Sequence, residues 1–285
     1  MRVIAIGNQK GGVGKTSVAV NLSAALALSG EPTLLVDMDP QAAASDSLGF
    51  VQHKDPTLTV AHWYRNPEPL QAGKHIFETQ LENLFLFPNS MDSMEAAISI
   101  ARDPTPSTFI QRFLKCPAIR DRFSYVVIDT PPNLDCHFNN SIMAADFLLI
   151  PVSPELKTVR GLMNLQPSLV KLAEASSVRV LGMILSMVQA NLNTHKRVTD
   201  FIDATYGDLV FKTQIMRSKD FPETDEFGRL SILNHAPGSK GAEAIMSLTE
   251  EVLKRIGEVS TGRRSKPKLW DGKINRAFDA LAETL

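Results

Sequence analysis

The stretch Val3-Ile4-Ala5-Ile6-Gly7-Asn8-Gln9-Lys10-Gly11-Gly12-Val13-Gly14-Lys15-Thr16-Ser17 runs from an apolar strand through a glycine-rich turn into a helix. Glycines let the backbone curl until successive N–H groups converge on phosphate oxygens, and the start of the next helix adds the positive end of its dipole. Lys15 supplies a point charge for the β- and γ-phosphates, and the Thr16 hydroxyl is placed to ligate Mg²⁺. The common pattern G-x-x-x-x-G-K-[ST] would open with a glycine at position 9, where this chain has Gln9 followed by a second cation, Lys10. The expectation is a nucleotide-phosphate loop with one lysine more than it needs.

Outward from this loop, Val18, Leu22, Ala25, Leu26 and Ser29 recur at helical spacing until Gly30-Glu31-Pro32 stops the helix. Apolar strand-like runs follow at Thr33–Val36, Leu84–Phe87, Tyr125–Ile128, Phe147–Ile150, Val178–Leu185 and Leu209–Phe211. Their unbroken apolarity predicts strands buried on both faces. Helices are expected near residues 91–101, 107–115, 138–145, 155–175, 194–206 and 239–257, with Pro167 kinking the fourth. The expected fold class is therefore α/β: a P-loop NTPase with a mostly parallel, twisted sheet and helices on both faces, plus a C-terminal helical tail. Residues 52–83 give no clear pattern. Within them His62-Trp63-Tyr64-Arg65 fits either an exposed partner-binding feature or a helix anchoring its aromatics in the core.

A boundary is expected near residue 258, with the nucleotide domain over 1–258 and a tail over 259–285. Gly262-Arg263-Arg264-Ser265-Lys266-Pro267-Lys268 reads as a basic linker, and Trp270, Ile274, Ala277, Phe278, Leu281 and Leu285 then share one helical face.

Composition narrows the class. A chain of 285 residues, 44% hydrophobic and 21% charged, can bury a full core. No apolar run nears eighteen residues, and the first strand begins at once, so a soluble, intracellular protein without a signal peptide is expected. Two cysteines, Cys116 and Cys136, argue against a disulfide framework. A formal net charge of −1 excludes a globally basic nucleic-acid binder, so any DNA affinity has to come from local clusters.

Two further segments carry chemistry. Val36-Asp37-Met38-Asp39-Pro40-Gln41 ends the second strand, and Val127-Ile128-Asp129-Thr130-Pro131-Pro132 ends another. Ligands of open α/β sheets bind at strand carboxyl ends, where these acids can meet the phosphates and hold Mg²⁺ directly or through water. Each acid alone reads as easily as a helix cap or a surface charge. Together, behind a phosphate loop, they do not.

Lys10-Gly11-Gly12-Val13-Gly14-Lys15-Thr16, Asp37-Met38-Asp39-Pro40-Gln41 and Asp129-Thr130-Pro131-Pro132 resemble the motifs of the ParA/MinD family of deviant Walker A ATPases, in its ParA branch. Weaker echoes at Ile150–Glu155, Val210–Arg217 and Gly238–Glu243 extend the likeness over roughly residues 1–257, in a short form without an N-terminal helix-turn-helix domain. The resemblance implies an ATP-sandwich homodimer in which Lys10 reaches the phosphates held by the other subunit while Lys15 serves its own. It also implies that Asp39 orients the attacking water, that Thr16, Asp37 and Asp129 support Mg²⁺, and that Lys10 through Ser17 cradle ATP. Met187, Arg217 and Pro237 fall where the family builds its adenine pocket, although local packing explains them as well. Hydrolysis would be slow and mostly a matter of positioning and charge stabilisation.

Smaller signals have plainer readings beside them. Cys136 lies near where the related nitrogenase iron protein places a cluster ligand, but Cys116 lacks the matching glycine-rich setting and reads as a buried thiol. The six histidines form no close pair and read as structural or solvated. Arg217, Lys219 and Lys240 are the expected DNA contacts, with Lys254, Arg255 and the linker cations as further candidates, each also readable as a solvated charge. Dimerisation would double such patches, giving ATP-dependent, non-specific binding to double-stranded DNA.

The expected function is thus a cytoplasmic, nucleoid-associated partitioning or positioning ATPase whose hydrolysis a ParB-like adaptor stimulates. One alternative is a MinD-like, membrane-associated spatial regulator. Against it, the polar side of the terminal helix (Asp271, Lys273, Arg276, Asp279, Glu283) has no cation excess for anionic lipid. A metabolic P-loop ligase or reductase is the other, for which no substrate pocket or cluster ligands are legible.

Overall fold

The computed structural model describes residues 1–51, 55–158, 161, 176–221 and 231–261. Pro167 and the tail helix over 270–285 lie outside the described residues, as does most of the helix expected at 155–175.

Eight strands form one sheet in the order β3-β4-β2-β5-β1-β6-β7-β8. They are β1 (Arg2–Ile6), β2 (Thr33–Asp37), β3 (Phe77–Glu78), β4 (Leu84–Phe87), β5 (Tyr125–Asp129), β6 (Phe147–Val152), β7 (Arg179–Val188) and β8 (Val210–Met216). Every pairing is parallel except the two-residue β3, which runs antiparallel to β4 at the edge. Alternate strand residues feed two separate cores. Val3 and Ala5 of β1 and Val126 and Ile128 of β5 join one cluster, while Ile4, Ile6 and Val127 join the other. A sheet buried on both faces explains why the strands read as unbroken apolar runs.

One face is covered by α1 (Lys15–Leu28), α2 (Ala43–Ser47), and, late in the chain, a short helix at Ile232–His235 and a long one at Lys240–Ser260. The other face takes α3 (Val60–Arg65), α4 (Asp92–Ile100), α5 (Phe109–Lys115), α6 (Pro117–Arg120), α7 (Cys136–Ala144) and α8 (Asn193–Tyr206). We call the two late helices α9 (Ile232–His235) and α10 (Lys240–Ser260). The hydroxyl of Ser239 caps α10 by accepting the Ala242 N–H at 3.1 Å.

Expected helices at 91–101, 107–115, 138–145, 194–206 and 239–257 all form, within a few residues of their expected ends. Two readings of the middle segment separate here. Trp63 and Tyr64 are buried in α3, and the Trp63 indole N–H donates to the Phe109 carbonyl at 3.1 Å, so the aromatics anchor the helix on the core. β8 extends to Met216, well past the apolar Leu209–Phe211, because its Lys212-Thr213-Gln214 segment is half-exposed at the sheet edge and loses the apolar signal.

Register places the acids. Asp37 lies opposite Asp129 across the β2–β5 pairing, and Ile6 lies opposite Asp129 across β1–β5. Both acids and the phosphate loop that follows β1 therefore meet at one end of the sheet, the carboxyl end where α/β folds bind ligands.

Candidate active site

The phosphate loop is shaped by two left-handed glycines, Gly12 at φ 73° and Gly14 at φ 78°. Gly14 is also the N-cap of α1, so no side chain covers the first N–H groups of that helix, and no acid occupies its first turn. That leaves a helix N-terminus open to an anion. The Ser186 hydroxyl of β7 donates to the Val13 carbonyl at 2.7 Å and ties the loop to the sheet. Thr16 and Ser17 are half-buried in the first turn of α1.

Lys15 is almost wholly buried, and its Nζ donates to the Lys10 carbonyl at 3.2 Å. Burial lowers its pKa, while the nearby Asp129 and Asp39 raise it. Its charge thus faces the acids of the neighbouring strands.

Asp37 and Asp129 are each fully buried. Asp37 is well bonded: its Oδ2 accepts from the Ser45 N–H at 2.9 Å and the Ser45 hydroxyl at 2.7 Å, and its Oδ1 accepts from the Asp39 N–H at 3.1 Å. Burial nevertheless pushes its pKa up to about 7. Asp129 differs, because neither carboxylate oxygen has a hydrogen-bond partner of ordinary geometry. Burial first, and then the charge of Asp37, drive its pKa well above the carboxylate range, with Thr16 and Lys15 opposing.

A buried carboxylate with unused lone pairs, beside a second acid and a threonine hydroxyl, is an all-oxygen donor set suited to a hard cation. Among the described residues no three His, Cys, Asp or Glu side chains form a metal cage on their own. Two carboxylates and a hydroxyl suit Mg²⁺ in particular, since it keeps waters and takes ligands from substrate phosphates. Thr16, Asp37 and Asp129 fit that ion.

Asp39 is half-buried just past β2, and its Oδ1 accepts the Gln41 N–H at 3.0 Å. The turn closes at Ala42, a non-glycine residue in the left-handed region at φ 56°. Such strain often marks functional loops.

Lys10 does not point into its own phosphate loop. Its Nζ donates to Glu155 Oε2 and to the Thr158 hydroxyl, each at 2.6 Å. Thr158 is in turn 2.7 Å from the Ser153 hydroxyl, and the Lys10 contact holds the Glu155 pKa below its usual range. Sequence reasoning missed Glu155 and Thr158. The only signal was the weak Ile150–Glu155 echo, which carried no partner for Lys10.

The adenine candidates are placed unevenly. Met187 has the left-handed φ of 54° and its Cε lies against Gly14, while the Arg217 N–H donates to the Val188 carbonyl at 2.9 Å, so these two share one side of the loop. Pro237 sits on the exposed turn ahead of α10. Arg217, Lys219 and Lys240 are exposed, as phosphate contacts must be.

Arg255 corrects an expectation. It is buried, donates to the carbonyls of Leu181, Leu209 and Val210 and to Glu251, and lies 3.7 Å over the Phe211 ring, so it holds the fold and cannot meet DNA. The cysteines are ordinary: Cys116 is buried and donates to the Arg112 carbonyl, and Cys136 accepts from the Asn140 amide.

Comparison with known proteins agrees with this geometry. A family model described as an AAA domain matches residues 1–180. The chain is 34% identical over 261 residues to the chromosome-partitioning ATPase Soj of Thermus thermophilus, covering 90% of this chain and 98% of that one. Among solved structures, cobyrinic acid a,c-diamide synthase of Mycobacterium smegmatis, with a bound ATP analog and magnesium, matches at TM-score 0.76 and 26% identity over 94% of this chain and 98% of that one. The cell division ATPase MinD of Pyrococcus furiosus matches at TM-score 0.71 and 26% identity over 89% and 98%. The phosphate loop with its surplus lysine, the strand-end acids and these likenesses together establish that the chain belongs to the ParA/MinD family of deviant Walker A ATPases.

Proposed function

We propose that this chain is an Mg²⁺-dependent partitioning ATPase that forms an ATP-sandwich dimer, binds double-stranded DNA without sequence preference, and is released when a ParB-like adaptor stimulates hydrolysis. The observation that carries the reading is the division between the two lysines. Lys15 serves its own loop from a buried position, while Lys10 is held by Glu155 and Thr158. A cation not needed by its own loop is available to a second subunit's phosphates, where a γ-phosphate offers a charge-assisted contact that ADP lacks.

Asp39, beside Lys15 at the mouth of the site, would orient water toward the γ-phosphate, and Lys10 and Lys15 would offset the charge that develops there. Thr16, Asp37 and Asp129 would hold Mg²⁺, whose chemistry when bound would be charge neutralisation at the phosphates. Exposed Arg217, Lys219 and Lys240, doubled in a dimer, would give DNA affinity its dependence on ATP. No described helix is long and apolar enough to cross a membrane. The likeness to a small-molecule synthase has lower identity than the partitioning relative, 26% against 34%, which favours partitioning.

Electrophoretic shift of a random-sequence duplex at low salt tests the reading. A shift with ATP and none with ADP supports it. ATP-bound protein that leaves the duplex unshifted overturns it.

A further inference from the structure

Ser45 is buried in the third position past the strained residue Ala42 that opens α2, and its side chain joins three segments. Its hydroxyl oxygen accepts the Asn89 N–H at 3.0 Å. That oxygen lies 2.7 Å from Asp37 Oδ2, so its single proton is committed to the carboxylate. The Ser45 N–H donates to the same Oδ2 at 2.9 Å. One residue therefore ties the end of β2, the start of α2 and the loop after β4 into a fixed arrangement.

The consequence is an inequality between the two acids. A carboxylate has about four lone-pair sites. The three donors on Asp37, two from Ser45 and one from Asp39, leave it about one. Asp129 has no bond of ordinary geometry to either oxygen, with only the Thr16 hydroxyl as a weak donor beside it. An acid held from three sides is suited to fix the water around a cation.

We propose that Ser45 is a positioning residue of the cation site, fixing the Asp37 carboxylate so that it orders the cation's water. This rests on the reading of the site as Mg²⁺-dependent. Groups that orient metal-binding side chains typically change metal affinity or activity about 10- to 100-fold when removed. Because the Asn89 N–H is bonded to the same hydroxyl, loss of that hydroxyl also uncouples the loop after β4 from the site.

The test is binding of a fluorescent ADP to the full chain, titrated with Mg²⁺. Ser45→Ala should raise the Mg²⁺ concentration for half-maximal effect about 10- to 100-fold and leave Mg²⁺-free ADP binding unchanged, a split that mere loosening of the fold would not produce. Ser45→Cys keeps the volume with a weaker donor and should shift in the same direction by less; it carries the test under the same criteria if Ser45→Ala does not fold. A variant whose Mg²⁺ dependence matches that of the wild type overturns the proposal alone. A wild-type protein whose ADP affinity ignores Mg²⁺ overturns the reading beneath it as well.

Discussion

Lys10 Nζ lies 2.6 Å from Glu155 Oε2, joining the turn after β1 to the turn after β6 across 145 positions of sequence. The pair is half-exposed, with side-chain exposures of 25% and 50%, so it is worth little to the fold as a whole. Its effect is on availability, because a lysine bonded to a carboxylate and to the Thr158 hydroxyl must give up both to reach a phosphate. Nucleotide and Glu155 therefore compete for one cation.

Removing the competitor should shift that balance. Glu155→Gln keeps the shape of the side chain and removes its charge, and the ATP concentration for half-maximal dimerisation should fall about 3- to 10-fold, as expected for one charge-assisted contact near the surface. Light scattering across an ATP series measures this. A higher ATP requirement in the variant would show that Glu155 supports the dimer rather than opposing it.

Asp39→Ala should leave ATP binding and dimerisation intact while lowering turnover about 100-fold or more, since it removes a water-orienting group and no phosphate contact. Phosphate release and dimer mass, measured on the same sample, separate the two effects. Equal loss of both would place Asp39 in binding.

Asp129→Asn should stabilise the nucleotide-free protein by about 1–3 kcal/mol near neutral pH, because a buried carboxylate only weakly offset by the Thr16 hydroxyl and the Lys15 charge gives way to a neutral group of the same shape. The sign follows from the raised pKa. Folding takes up a proton at Asp129, so the wild type loses stability as pH rises from the unfolded carboxylate value, about 3.9, through the higher folded value. The gap between the two proteins should narrow as pH falls toward 4. Urea unfolding at several pH values checks it, and the same variant should lose the effect of Mg²⁺ on nucleotide binding.

The basic residues divide into two kinds. Arg217→Ala and Lys240→Ala should each reduce the slope of log affinity for DNA against log salt by about 0.9 with stability unchanged. Arg255→Ala should instead destabilise the fold by about 2–4 kcal/mol, since it leaves the carbonyls of Leu181, Leu209 and Val210 and the Glu251 carboxylate without their donor. Salt-dependent binding curves and melting temperatures on one panel of variants distinguish the groups.

The strands and the phosphate loop are legible in the sequence because they obey local rules: unbroken apolar runs for a doubly covered sheet, and glycines where φ must be positive. Asp37 and Asp129 are legible because each ends a strand, and Asp39 because it follows the end of one by two residues. Ser45 and Glu155 are not. Each owes its role to a partner that only the fold supplies, Ser45 to Asp37 and Asn89, Glu155 to Lys10. Arg255 misled for the same reason: a cation in a polar helical stretch reads as solvated until α10 turns it under β7 and β8. Short elements such as β3 and α2 are too brief to show a period at all.

The central claim is that Lys10 makes dimer state follow nucleotide state, and light scattering coupled to gel filtration tests it most directly. With ATP and Mg²⁺ the wild type should run at twice its monomer mass and with ADP at the monomer mass, while Lys10→Ala should remain monomeric with either. A Lys10→Ala protein that still dimerises with ATP would contradict the account.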